Sequence, residues 1–213
     1  MIYDIDIAKQ VAKSLLQINA IILQPNDPFK WAAGWNSPIY CDNRKTLSYP
    51  KIRNYIRQGL AAIIKNHYKG ANVIAGVATA GIPHGALVAE ELGLPFIYVR
   101  SKAKEHGKQN QIEGYFTEGQ SVILVEDLIS SGKSSLEAAI ALKKAEMNVK
   151  GVVSIFTYGF DTASENFKNA SCEYVSLCDY KTLLPQAIKQ QYINKNDLPI
   201  LEAWREDPSN WKK

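Results

Sequence analysis

Apolar positions along this chain follow two rhythms, and their alternation predicts an architecture. From Asp4 to Leu23, the residues Ile7, Val11, Leu15, Ile18 and Ile22 recur at helical spacing and line one face of an α-helix. Asp4 or Asp6 can cap it, and Pro25 and Pro28 end it. Tyr49 to Lys69 repeats the pattern, with Ile52, Tyr55, Ile56, Leu60 and Ile63 facing inward. The other rhythm is the short continuous apolar run: Asn72–Val77, Leu94–Val99, Val122–Val125, Val149–Tyr158 and Tyr174–Leu177. Such runs mark strands buried on both faces. Between them lie a small-residue turn and helix from Ala78 to about Gly93, a helix over Ser134–Met147, and another over Ala163–Asn169. Ser134 and Glu137 have the spacing of a capping box.

Two further segments complete the expectation. Aromatic and β-branched residues around Gly34-Trp35-Asn36 predict a hairpin within Phe29–Asn43, forming a small hood outside the main sheet. Glu113–Phe116 is expected to pair with Ser121–Val125 across a turn at Glu118-Gly119. From Tyr180 onward the chain reads as helices packed outside, with Trp204 and Trp211 as packing residues. Strands alternating with helices from Asn72 predict an α/β fold. Its mainly parallel sheet is flanked by helices on both faces, and its site lies at the strands' C-terminal ends.

Composition narrows the function classes. The 213 residues suit one domain, 1–213, with a hood from about 1–45 and C-terminal helices over about 180–210. A 46% hydrophobic content supplies a core. The net charge of +4 is spread along the chain apart from one loop, which argues against a nucleic-acid surface. Cys41, Cys172 and Cys178 are odd in number and lack metal-site spacing, as expected of free thiols in a reducing cytoplasm. The opening MIYDIDIAKQ does not resemble a signal peptide, and no run suits a membrane span.

The chemistry concentrates in Val122–Ser135, VILVEDLISSGKSS. An apolar strand ends in two carboxylates, Glu126 and Asp127. A small-residue turn, Ser130-Ser131-Gly132-Lys133-Ser134, then opens a helix. Unpaired N–H groups and the dipole at a helix start favour an anion. Gly132-Lys133-Ser134 resembles the end of a P-loop, but Asp127 stands where that motif requires glycine. A carboxylate there repels a triphosphate yet suits vicinal sugar hydroxyls. Two acids beside one phosphate turn point to a ribose 5-phosphate.

This stretch resembles the phosphoribosyl diphosphate (PRPP) motif of the type I phosphoribosyltransferases. SPIYCDNR, Ser37–Arg44, is similar to a signature of one branch, the orotate phosphoribosyltransferases. So is Arg100-x-x-x-Lys104-x-His106 followed by glycine, in the charged loop Arg100–Gly114. A loop of that length in a compact domain is usually functional or disordered. The resemblance implies the type I phosphoribosyltransferase fold and transfer of ribose 5-phosphate from PRPP to orotate. It implies Mg²⁺ as cofactor, held mainly through PRPP and water.

It also implies roles for residues. Arg100, Lys104 and His106 would close over the diphosphate, with Thr79 and neighbouring backbone on a pyrophosphate loop. Some relatives carry a lysine where this chain has Ala80, and many carry one at Ser101; Lys102 is a candidate substitute for the latter. Glu126 and Asp127 would hold the ribose hydroxyls, while Leu128, Ile129 and the turn Ser130, Ser131, Gly132, Lys133 and Ser134 would bind PRPP. Lys30, Tyr40, Cys41 and Ser130 would contact orotate. Some relatives meet the orotate carboxylate with an arginine after the 149–158 strand. This chain has none there, leaving Arg44 or backbone amides. A homodimer sharing loop 100–114 between subunits is implied too. Two alternatives remain open: a phosphoribosyltransferase for another base, and a PRPP-binding regulator.

Overall fold

The computed structural model describes residues 1–31, 34–101 and 111–212. Helix α1, Ile5–Gln17, starts where the Asp4 carboxylate accepts from the amides of Asp6 and Ile7, each at 2.9 Å. It ends earlier than its apolar period suggests. Asn19 adopts φ 51°, which breaks the helix, and Ile21–Leu23 becomes strand β1. Ile22 therefore pairs with Tyr40 of a later strand instead of extending the helical face.

The hood consists of two small antiparallel pairs. Strand β2, Phe29–Lys30, pairs with β3, Asn36–Ser37, as the hairpin signal predicts, and β4, Ile39–Cys41, pairs with β1. A 3₁₀ turn, Asn43–Ser48, leads into helix α2, Pro50–His67. Ile56, Leu60 and Ile63 face inward on α2, while Tyr55 is exposed, contrary to expectation. Strand β5, Val73–Val77, and helix α3, Gly81–Leu92, follow. Strand β6, Phe96–Val99, then precedes the loop, and β7, Ile112–Glu113, follows it.

The remaining sheet comprises β8, Ser121–Ile129, β9, Asn148–Thr157, and β10, Tyr174–Asp179. Helices α4, Lys133–Lys144, and α5, Asp161–Asn169, connect them. Helices α6, Tyr180–Lys189, and α7, Leu198–Glu206, close the chain.

The described strands form a six-stranded sheet in the order β10-β9-β8-β5-β6-β7, parallel except for β7. Segment 113–116 does not pair with β8. Both edges of β8 are taken by β5 and β9, so Ile112–Glu113 pairs with β6 as the second arm of the loop's stem. Along β8, Ile123 and Val125 enter one core with α1, α2 and α3, while Val122 and Leu124 enter the other with α4 and α5. All four are fully buried, each contributing about 1.5–3 kcal/mol. The chain runs outward from β5 to β7, returns to β8, and then runs the other way. This puts a topological switch point between β5 and β8, where ligands of open α/β sheets bind.

Candidate active site

Strand β8 extends four residues past its apolar run and carries both acids. Successive strand residues start toward opposite faces, yet these two carboxyls stay close enough to interact with each other. Glu126, only 5% exposed, turns toward α4. Its Oε2 accepts from the Ser134 and Ser135 hydroxyls, each at 3.1 Å, and its Oε1 accepts from the Asp127 amide at 3.0 Å. Ser134 is therefore engaged with Glu126 and does not cap α4; the N-cap is Gly132, at φ 79°. Asp127 is half-buried.

Burial raises both carboxyls above their ordinary range, and for Glu126 the Asp127 charge adds to it. A carboxyl raised on folding contributes stability that is present below the ordinary carboxylate range and lost as pH climbs through the raised value. The ligand-free protein should thus lose melting temperature between about pH 5 and about pH 8.5, and Glu126→Gln should lose less, at roughly 2–4 °C per kcal/mol. Parallel pH curves in calorimetry would refute this assignment.

Three hollows lie side by side. The first, of about 500 Å³, is lined by Phe29, Lys30, Trp31, Tyr40, Cys41, Leu128, Ser130 and Tyr158. The second, of about 340 Å³, is the turn itself, Ser130–Ser134, with Leu128 and Glu137. The third, of about 20 Å³, brings Val77, Ala78 and Val99 against Arg100, Ser101, Gln111, Ser134, Glu137 and Ala138. Leu128 and Ser130 belong to the first two, and Ser134 and Glu137 to the last two. They therefore form one continuous path from the hood, over the helix N-terminus, to the stem of the loop. A roomier cavity of about 640 Å³ between α6 and α7 shares only Tyr158 with this path.

Most of the residues singled out in the sequence meet on this path. The turn is fixed from beneath, because Asn166 Nδ2 donates to the Ser131 carbonyl at 3.0 Å. Ile129 is buried in the core under the turn, away from the hollows. Thr79 is exposed just after β5. Arg100 exchanges hydrogen bonds with Gln111 across the stem: its amide donates to Gln111 O at 2.8 Å, and Gln111 Nε2 donates to its carbonyl at 2.9 Å. Lys104, His106 and Lys102 lie outside the described residues. Arg44 is absent from the lining of the first hollow; its Nε donates to Asp42 at 2.6 Å and its side chain is exposed.

The structure adds residues that the motifs do not include. Phe29, Trp31 and Tyr158 wall the first hollow. Trp204 supports that wall from α7, with its ring 5.7 Å from Trp31 and 5.5 Å from Tyr158. Their signal in the sequence was only aromatic character, which serves burial as often as binding.

A phosphoribosyl transferase domain is recognised over residues 48–182. The chain is 53% identical over 205 residues to orotate phosphoribosyltransferase of Cytophaga hutchinsonii, covering 96% of this chain and 98% of that protein. The chain belongs to the orotate phosphoribosyltransferase family. The Bacillus subtilis orotate phosphoribosyltransferase is likewise 53% identical, across 96% of this chain and 95% of its own. In three dimensions, the crystal structure of orotate phosphoribosyltransferase from Aeropyrum pernix superposes with a TM-score of 0.75 at 26% identity. It covers 86% of this chain and 99% of that one. The family domain begins at the end of the 3₁₀ turn, so the hood lies ahead of it.

Proposed function

We propose that this chain transfers the 5-phosphoribosyl group of PRPP to orotate, giving orotidine 5′-phosphate and diphosphate, a step of pyrimidine nucleotide synthesis. The single observation carrying this reading is the continuous path from the aromatic hollow across Ser130–Ser134 to Arg100, in a chain with near-full-length orotate phosphoribosyltransferase relatives. The 5-phosphate sits on the backbone amides of Ser131–Ser134 at the α4 N-terminus. Asp127 accepts from a ribose hydroxyl. Glu126 holds the turn through Ser134 and Ser135, and reaches the ribose when those bonds rearrange. Orotate stacks in the hollow of Phe29, Lys30, Tyr40, Cys41 and Ser130. Lys30 is the cation there that faces its carboxylate, in place of Arg44.

The bond from sugar C1 to the diphosphate breaks, its electrons leave with the diphosphate oxygen, an orotate ring nitrogen bonds to C1, and the proton that nitrogen carried is released to the departing diphosphate or to water. No covalent nucleophile is required; positioning and charge stabilisation suffice. Arg100, Lys104, His106 and the Thr79 loop gather the departing diphosphate, and closure of loop 100–114 excludes water. Burial has raised both carboxyls of Glu126 and Asp127 beside this path, and a cation arriving with PRPP would relieve that without being held by them. Mg²⁺ bound with PRPP supplies charge neutralisation on the diphosphate, with most of its ligands from PRPP and water. The active unit is a homodimer in which loop 100–114 serves the neighbouring site.

Loss of orotate absorbance tests this. It should require both PRPP and Mg²⁺ and should yield diphosphate in equal amount. Turnover of a purine or uracil instead would make this a phosphoribosyltransferase for another base. PRPP binding without turnover of any base would favour a regulator.

A further inference from the structure

Base and sugar must meet at a reacting distance, yet the groups that hold them come from separate parts of the chain. The hood supplies Phe29, Lys30, Trp31, Tyr40 and Cys41 of the base hollow, which Leu128, Ser130 and Tyr158 complete, and the ribose acid belongs to β8. Asn43, fully buried at the start of the 3₁₀ turn, joins the two. Its Nδ2 donates to the Asp127 carbonyl oxygen at 2.7 Å across 84 residues of sequence. Its Oδ1 accepts from Cys41 Sγ, in the wall of the base hollow, at 3.5 Å. Its own carbonyl accepts from the buried Thr46 hydroxyl at 2.6 Å. Among the described residues, no other hydrogen bond links segment 20–48 to β8.

We propose that Asn43 is a positioning residue for phosphoribosyl transfer, one amide that sets the base hollow and the Asp127 main chain at a fixed separation. This rests on the reading of the site given above. The amide's two ends do different work: the donor holds the ribose acid's backbone, and the acceptor orients the Cys41 wall. Asn43 touches neither substrate. Its removal misaligns two correctly formed half-sites instead of deleting a contact.

Asn43→Ala should lower kcat about 30- to 100-fold, with KM for PRPP and orotate moving less than about threefold, the pattern of lost alignment. A merely structural residue would lower the melting temperature and leave kcat per folded molecule unchanged. Asn43→Asp gives a sharper readout and keeps the side chain's size if the alanine variant does not fold. The introduced carboxyl can donate to the Asp127 carbonyl only when protonated. The ratio of its kcat to wild type should therefore rise as pH falls from about 8 to about 5.5. Taking the ratio removes the titrations common to both proteins, those of Glu126, Asp127, Asp42 and the Cys41 thiol, with Arg44 charged throughout. A ratio flat with pH, or an Asn43→Ala protein with wild-type kcat, overturns the proposal. Absence of orotate turnover in the wild type would instead overturn the function itself.

Discussion

Lys104→Ala and Asp127→Ala should each lower orotate turnover by about 10³-fold, and mixing the two proteins should restore about a quarter of wild-type activity. In the proposed roles the two losses have different origins. Without Lys104 the charge growing on the departing diphosphate goes unmatched. Without Asp127 the ribose loses the carboxylate that orients it and supports its cationic character. Recovery follows if, as proposed, the active unit is a dimer in which loop 100–114 serves the neighbouring site. Random exchange makes about half the dimers mixed, and each mixed dimer has one complete site of two, hence about a quarter. Activity assays on a refolded mixture, with heterodimers verified by differently tagged chains, measure it. Absence of recovery would remove the shared site and leave the two single losses standing.

Gly81→Ala should be the most damaging single methyl in the protein. At the start of α3, a Cβ on Gly81 would overlap the Val125 carbonyl oxygen of β8, and it would meet the Glu126 Cα at 3.4 Å. Both obstacles are backbone, so no side chain can rotate away. Neighbouring positions are tight too, though less so. A Cβ on Gly76 would stand 2.8 Å from the Ile82 Cα, and one on Gly85 would stand 3.1 Å from the Gly76 Cα. Helix α3 thus rests on the strands backbone to backbone, which brings the loop after β5 beside the acids of β8. Forcing them apart should cost about 3 kcal/mol, or roughly 6–12 °C in melting temperature, with loss of PRPP affinity as well. Gly93→Ala is the comparison. It has φ 64° but nothing within 4 Å, and should cost only about 1 kcal/mol. Equal melting temperatures for the two variants would refute close packing as the reason for Gly81.

Elements with one strong local cause were legible in the sequence. The run Val122–Val125 read as a buried strand, and Asp4 or Asp6 as a helix start, of which the structure uses Asp4. The turn Ser130–Ser134, with its acids upstream and helix downstream, declared an anion site through local chemistry. Where fold and sequence pattern part, two local signals competed. The apolar period at Ile18 and Ile22 matched a helix, but Asn19 takes a left-handed conformation and Ile22 joins β1. The Ser134–Glu137 spacing matched a capping box, but the Ser134 hydroxyl had a better partner in a buried carboxylate.

From its order of residues alone, this protein was committed to alternating strands and helices, to a small-residue turn opening a helix after the acids of β8, and to a charged segment after β6. Each depends on neighbours within a few positions. Tertiary structure alone decided that β7 pairs with β6, that Trp204 backs the base hollow, and that Asn43 ties hood to strand. Those contacts join residues far apart in the chain. Their partners are set by which edges and faces remain free once the core has packed, and that information belongs to no local window.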